Sequence, residues 1–399
     1  MNKIIITRWN DHILTSWYED QKMVQVQIED EEHRSILNNI YIAKVKNIVN
    51  NINAAFVELG GGQMAYYSLT ENQIHHHTTA KDSQILRTGD EIIVQVVKDA
   101  IKTKDPVVTG NLSFAGKYCV VTAGKAVIGF SGKISDTAWK QQWKERLSAY
   151  RDGDLGIILR TNAKEAEEEE ILEELQQLKK KYRQILEMGS FRTCYSLLYE
   201  AVPACVSSIR DTYQAQMEEI LTDDSEIFGQ LQAYLKEYQP EDAGKLRFYQ
   251  DELLPLSKLY QIDKWLEEAL SKRVWMKSGG YLIIEPTEAL TVIDVNTGKY
   301  SEKKTLRDTI LKINLEAAKE AARQLRLRNL SGIIIIDFID MEQEEDRQLL
   351  MKKLSEWCGR DPVRTNVVDM TKLNLVEVTR KKIRKPLHEM AGIKGDSRK

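Results

Sequence analysis

Cysteine is scarce and scattered in this chain. Its 399 residues hold four, Cys119, Cys194, Cys205 and Cys358, with no C-x-x-C pair. That argues against a disulfide framework and against a zinc knuckle, and fits a reducing cytoplasm. Long apolar runs are also missing. The opening MNKIIITRWN carries three isoleucines in a row, too short for the core of a signal peptide or for a membrane span. No other stretch approaches the roughly 18 uncharged residues that a spanning helix needs, so a cytoplasmic chain without a membrane span is expected. There is no internal repeat and no low-complexity linker, so the domains are expected to abut. Charge of one sign is lacking too: 57 Lys and Arg against 60 Asp and Glu leave a net charge of −3. The balance is uneven, because eight Lys and Arg crowd into Arg380–Lys399 against Glu389 and Asp396. A near-neutral total with a basic end permits a nucleic-acid partner without requiring one.

What is present reads as several compact units. Residues 1–34 alternate apolar and polar side chains, as strands of an exposed sheet do. Residues 35–118 continue as short strands punctuated by glycine, the pattern of a small closed barrel. KYCVVTAGKAVIGFSG and GDLGIILRTNA predict further strands around a short helix near Trp139 to Ala149. Residues 164–188 predict a helix with Ile171, Leu175, Leu178, Tyr182 and Ile185 on one face. Its acids lead and its lysines follow, which suits the helix dipole and makes the acid run a solvated face. From 202 to 270 strands and helices alternate, with CVSSIRD as the first apolar piece. Beyond Gly279-Gly280 the pattern turns α/β: strands YLIIEPT and ALTVIDVNTG, a helix from about 305 to 328, the strand GIIIIDFID, a helix from about 343 to 357, and NVVDMT.

Two of those strands end in acids. TVIDVN places Asp294 and Asn296 two residues apart, on one face of a strand. GIIIIDFID opens on four isoleucines, a pattern of a strand buried on both faces of a parallel sheet, and ends in Asp337 and Asp340. A strand-helix-strand crossover sets Asp294 beside Asp337 at the carboxyl edge, where ligands bind in such sheets. One or two carboxylates with retained water suit magnesium. Capping of the following turns is the alternative role for these acids.

EPTEALTVIDVNTGKY (285–300) and NLEAAKEAARQLRLRNLSGIIIIDFIDM (314–341) closely resemble the catalytic region of the ribonuclease E/G family, and YQIDKWLEEALSKRVWMKSGG (260–280) resembles its approach segment. The similarity extends more thinly over nearly the whole chain. The resemblance implies an α+β multidomain fold: an RNase H-like element split between 1–34 and 202–270, an S1-type (OB-fold) β-barrel at 35–118 inserted in it, a 5′-sensor region with a helical segment at 119–201, and a catalytic α/β domain like deoxyribonuclease I at 271–399. It implies an endoribonuclease that hydrolyses single-stranded RNA to 5′-phosphate and 3′-hydroxyl ends in RNA processing and decay, stimulated by a 5′-monophosphate. Asp294 and Asp337 become the Mg2+ ligands, with Mn2+ as a substitute, and Asn296 supports them.

The same resemblance gives RNA contacts to Phe56, Tyr66 and Lys104, and a 5′-phosphate sensor to Val120, Arg160 and Thr161. Rings on neighbouring strands suit base stacking, and a guanidinium beside a hydroxyl suits a terminal phosphate. The chain departs from the family at Ser131-Gly132-Lys133, where a basic pair is usual. Arg323, Arg326, Arg328, Arg380 and Lys381 are candidates for tracking the phosphate backbone, with salt-bridged faces as the alternative. His75, His76 and His77 point apart as neighbours do, so no metal site is read there. The family's C-P-x-C zinc motif has no counterpart in KPLHEMAGIKGDSRK, which predicts a short form without zinc and without a zinc-linked oligomer; a homodimer stays open. The rival reading is a non-catalytic S1-domain RNA-binding protein.

Overall fold

The computed structural model describes residues 2–30, 35–72, 74–79, 85–100, 104–211, 217–251, 253–298 and 306–390. Expectations for the end of the chain beyond 390, including Lys394, Arg398 and Lys399, lie outside the described residues. The chain divides into two compact units, one formed by Met1–Glu31 with Ala215–Lys399 and the other by Glu32–Gln214.

The second unit holds a closed barrel. Strands Ile40–Val49, Ala54–Gly60, Gln63–Ser68, Val107–Thr109 and Glu91–Lys98 follow one another around it in that order, with Gln63–Ser68 and Val107–Thr109 parallel, and Glu91–Lys98 closes on Ile40–Val49. Alternation puts Val45, Val57, Ala65, Tyr67, Ile92 and Val94 inside. The VVTGNLSF segment does not all stay in the barrel: Ser113–Ala115 joins a four-stranded sheet with Cys119–Thr122, Gly156–Leu159 and Ile128–Phe130. Glycine and the turn at Gly110 separate the two stretches, which the alternation pattern alone does not reveal. Helix Glu168–Phe191 begins with a reciprocal capping box between Glu167 and Glu170, satisfying two N-terminal donors. It buries Ile171, Leu175, Tyr182 and Ile185 against that sheet. CVSSIRD, first in the expected alternation of strands and helices, is helical, within Ala204–Asp211. Cys205, Val206 and Ile209 are buried at helical spacing, a period too short to read in eight residues.

The first unit holds two sheets. In one, Asn2–Trp9, His12–Glu19 and Lys22–Asp30 form an antiparallel meander, and Glu219–Thr222 and Leu246–Phe248 add in parallel beside Asn2–Trp9. The other has six strands in the order Arg273–Trp275, Tyr281–Pro286, Leu290–Asn296, Gly332–Asp337, Leu375–Arg380, Thr365–Met370. Only Leu290–Asn296 and Gly332–Asp337 run parallel; the other pairs are antiparallel. Helices Leu306–Leu327 and Glu344–Cys358 supply Ile313, Ala317, Ala321, Leu350 and Leu354 to one core with Ile284, Ile293, Ile334, Ile336 and Val376.

The isoleucine run is therefore not buried on both faces. Ile334 and Ile336 are fully buried, whereas Ile333 is 52% exposed. Helices pack on one face of this sheet, and the other carries Ile333, Asp294 and Asp337. Four isoleucines signal strand propensity here, not two covered faces.

Candidate active site

The carboxylates sit where the one parallel pairing of the six-stranded sheet ends. Asp294 and Asp337 are direct partners across the two strands, so their side chains leave the same face side by side. The Asn296 Nδ2 donates to Asp294 Oδ2 at 2.7 Å, which orients that carboxylate. Asp337 is solvent-exposed, yet its carboxyl is held above the usual carboxylate range, first by loss of water around it and then by the negative charges of Asp294 and Asp340. Asp340 accepts from Asn374 Nδ2 at 2.9 Å.

Local structure fixes this edge from two sides. Asn314, fully buried on helix Leu306–Leu327, donates to the Ile339 carbonyl at 2.7 Å and accepts from the Ile339 N–H at 3.1 Å. That pair holds the chain between Asp337 and Asp340. On the other side, Glu316 of the same helix accepts from Lys277 N at 2.9 Å and Ser278 N at 3.2 Å, pinning the turn that leads to Tyr281. Gly298, at φ +61°, packs so closely there that an added Cβ would lie 2.1 Å from the Gly279 carbonyl oxygen. Glycine is the residue that permits this approach.

Asn314 and Glu316 lie within the quoted NLEAAK motif but were assigned no role from sequence. The available signal was a polar residue, Asn314, on the same helical face as Ile313, Ala317 and Ala321. A buried amide demands partners, and here the partner is the active-edge backbone.

Among the described residues, no group of three or more His, Cys, Asp or Glu side chains forms a metal cluster. What the edge offers is a carboxylate pair with an amide, a hard-oxygen donor set. Magnesium suits such a set because it keeps several waters and takes one or two carboxylates.

In the barrel, Phe56 and Tyr66 are cross-strand partners. Their rings meet edge to face at 6.0 Å between centroids, and both are half-buried. Lys104 is exposed, two residues before Pro106, whose carbonyl accepts from Tyr66 N at 2.8 Å. In the four-stranded sheet, Val120 pairs with Ala115 and Ile158. Arg160 donates to the Gly116 carbonyl at 2.5 Å and pairs with Asp211 at 2.9 Å. Thr161 Oγ1 lies 3.0 Å from Ser131 Oγ, so the departing Ser131 adjoins the Arg160-Thr161 step. Glu174 from the long helix accepts from Tyr118 N at 2.8 Å and Cys119 N at 2.9 Å. It packs against Gly116 where a Cβ would meet its carboxylate at 2.2 Å. Burial raises the Asp211 carboxyl, but the Arg210 and Arg160 guanidiniums outweigh it and hold the group below its usual range.

Four of the candidate backbone-tracking arginines are a correction. Arg323 donates to the Met23 carbonyl at 2.6 Å and pairs with Glu268 at 2.5 Å and Glu320 at 2.6 Å. Arg326 reaches Gln25 at 2.9 Å and Glu19 at 2.7 Å. Arg328 is 5% exposed and bonds Gln324 and the Glu268 carbonyl; loss of water around it lowers its pKa to about 10. Arg380 is 4% exposed, paired with Asp361 at 2.8 Å and bonded to Asn329 and the Leu330 carbonyl. These four tie elements of the first unit together instead of facing a phosphate backbone. Polar spacing on a helix does not distinguish an outward arginine from one paired across a seam. Lys381 is exposed.

The model of the Ribonuclease E/G family matches residues 113–383. The chain belongs to the ribonuclease E/G family. It is 34% identical to Ribonuclease G of Salmonella typhimurium over 376 residues, 92% of this chain and 77% of that protein. Identity to Ribonuclease G of Escherichia coli is 33% with the same coverage. Ribonuclease E of Nostoc is 33% identical over 398 residues, 98% of this chain and 57% of that protein. As a member of this family the chain is an endoribonuclease. Among the described residues no helix is long and apolar enough to cross a membrane.

Proposed function

We propose that this ribonuclease E/G family member hydrolyses single-stranded RNA in RNA processing and decay, with Mg2+ (or Mn2+) held by Asp294 and Asp337. The carrying observation is the direct pairing of those two aspartates across the only parallel strands of the six-stranded sheet. Asp294 and Asp337 provide the negative charge that binds the ion, and Asn296 fixes the direction of the Asp294 carboxylate. Asn314 keeps the chain after Asp337 from drifting. When bound, the ion supplies Lewis-acid stabilisation of charge on the phosphodiester and a more acidic water. Water adds to phosphorus as the P–O3′ bond breaks, and O3′ takes up a proton, leaving 5′-phosphate and 3′-hydroxyl ends.

In this reading the barrel is an S1-type platform on which Phe56 and Tyr66 stack bases and Lys104 meets a phosphate. Arg160 and Thr161, with Ser131 beside them, take a 5′-monophosphate, competing with Asp211 for the guanidinium. The meander with its two parallel strands is the RNase H-like element, and the six-stranded unit the domain like deoxyribonuclease I. The S1-domain RNA-binding reading lacks a use for the paired aspartates.

The test is cleavage of an A/U-rich single-stranded RNA, 5′-monophosphorylated or 5′-hydroxylated, with Mg2+ or with EDTA. Metal-dependent cutting that Asp337→Asn abolishes supports the proposal. Binding without cutting moves the protein to the RNA-binding reading.

A further inference from the structure

The open face of the six-stranded sheet extends beyond the aspartates. Asn296 pairs across the sheet with Tyr281, and Tyr281 with Trp275 on the edge strand. Asp294 likewise pairs with Ile283, and Ile283 with Arg273. Partners across strands share a face, so Arg273, Trp275 and Tyr281 stand on the same surface as Asp294, Asn296 and Asp337. The intervening residues Val274, Leu282, Ile293 and Val295 point the other way and are buried.

These three side chains form a cluster. The Trp275 and Tyr281 rings lie 5.1 Å apart between centroids, tilted by 58°. The Arg273 guanidinium sits 4.7 Å from the Tyr281 centroid and 5.6 Å from that of Trp275. Trp275 is nevertheless 63% exposed. Its distance from Asn296 is two strand spacings, roughly 10 Å. An exposed indole braced by a cation contributes nothing to the core, but it offers a π-face and a positive charge beside a phosphodiester site. Sequence-tolerant binding of single strands uses that combination.

We infer that Arg273, Trp275 and Tyr281 form a base-stacking subsite for the nucleotide chain flanking the cleaved phosphodiester. Trp275 takes the base on its exposed face. Tyr281 and Arg273 hold the indole in place, and Arg273 attracts the adjoining phosphate. The subsite rests on the proposed Asp294–Asp337 centre and adds a second stacking platform to the one proposed in the barrel.

The experiment uses single-stranded oligoribonucleotides with 2-aminopurine placed singly at successive positions on either side of the cut. Binding is read by fluorescence in the Asp337→Asn protein, with and without Trp275→Ala. Steady-state cleavage and sedimentation are measured for wild type, Trp275→Ala and Trp275→Phe. The expected result is quenching at one or two positions near the cut that Trp275→Ala removes. KM should rise roughly tenfold in Trp275→Ala, with recovery in Trp275→Phe. A quenching profile and KM unchanged by Trp275→Ala, in a wild-type protein that cuts, overturns the subsite and leaves the proposed function standing. A change of oligomeric state with an unchanged profile assigns the face to a second copy of the chain and also overturns it. If the wild type cuts no RNA, both readings fall.

Discussion

Asp294 and Asp337 face each other as direct partners in a parallel strand pair, and the second is held above the usual carboxylate range first by loss of water around it and then by the charges of Asp294 and Asp340. Two acids kept together against their repulsion are expected to work on a shared cation. Asp294→Asn and Asp337→Asn should therefore each lower the cleavage rate by about a thousandfold or more, equivalent to about 4 kcal/mol of lost transition-state stabilisation. RNA affinity should change little, because the ion acts on the transition state more than on docking. Single-turnover cleavage alongside filter binding checks this. Near wild-type cleavage by either variant removes that aspartate from the mechanism.

The raised Asp337 carboxyl has a consequence for stability. A carboxyl whose folded pKa lies above its ordinary value binds protons more readily in the folded state. Stability then falls as pH rises from the ordinary value of 3.8 through the folded one. In EDTA at neutral pH, Asp337→Asn should melt slightly higher than wild type, and the difference should vanish below that window. The shift should be small because Asp337 is open to solvent. Added Mg2+ should raise the melting temperature of wild type and not of the variant. Melting curves across pH that show the variant less stable at neutral pH would remove the argument from the raised carboxyl.

The separation of these effects shows what the sequence carries. D-x-N at the end of one strand and a carboxylate at the end of the next make the Asp294–Asp337 juxtaposition legible, because alternation and a crossover leave few arrangements. The closed barrel is legible from glycine-punctuated alternation for the same reason. The arginines are not, because Arg323 and Arg326 look like an outward basic face until strand Lys22–Asp30 is known to lie against them. Asn314 escapes notice because its partner, the Ile339 backbone, carries no side-chain signature. The open face over Ile333 is hidden because a run of isoleucines reports strand preference and not the number of neighbours.

Asn314 provides a stability test with an activity readout. Asn314→Ala leaves the Ile339 N–H and carbonyl without their partner, a loss of about 2–4 kcal/mol for two buried groups. Unfolding in urea should register it. Cleavage at a temperature where the variant stays folded should still fall, since the chain between Asp337 and Asp340 is released. A destabilised variant with full activity would show that this tie serves folding alone.

The arginine correction separates from Lys381 through salt dependence. Arg323→Ala removes bonds to Met23, Glu268 and Glu320 and should lower stability while leaving the salt slope of RNA binding unchanged. Lys381 is exposed, and if it meets a phosphate, Lys381→Ala should reduce that slope by about one. Affinity measured at several salt concentrations decides the matter. A reduced slope in Arg323→Ala would return that arginine to the RNA.

Arg160 is held by Asp211 and the Gly116 carbonyl, so a 5′-phosphate must compete with a carboxylate already in place. Arg160→Gln should abolish any preference for 5′-monophosphorylated over 5′-hydroxylated RNA while leaving cleavage of the hydroxylated RNA near its original rate. Thr161→Val, which loses the hydroxyl 3.0 Å from Ser131, should weaken the preference less, because a neutral hydrogen bond is worth about half a charge-assisted one. Parallel cleavage of the two RNAs by each variant measures the ratio. An undiminished preference in Arg160→Gln would move the sensor away from this sheet, and the pairing with Asp211 would then be structural.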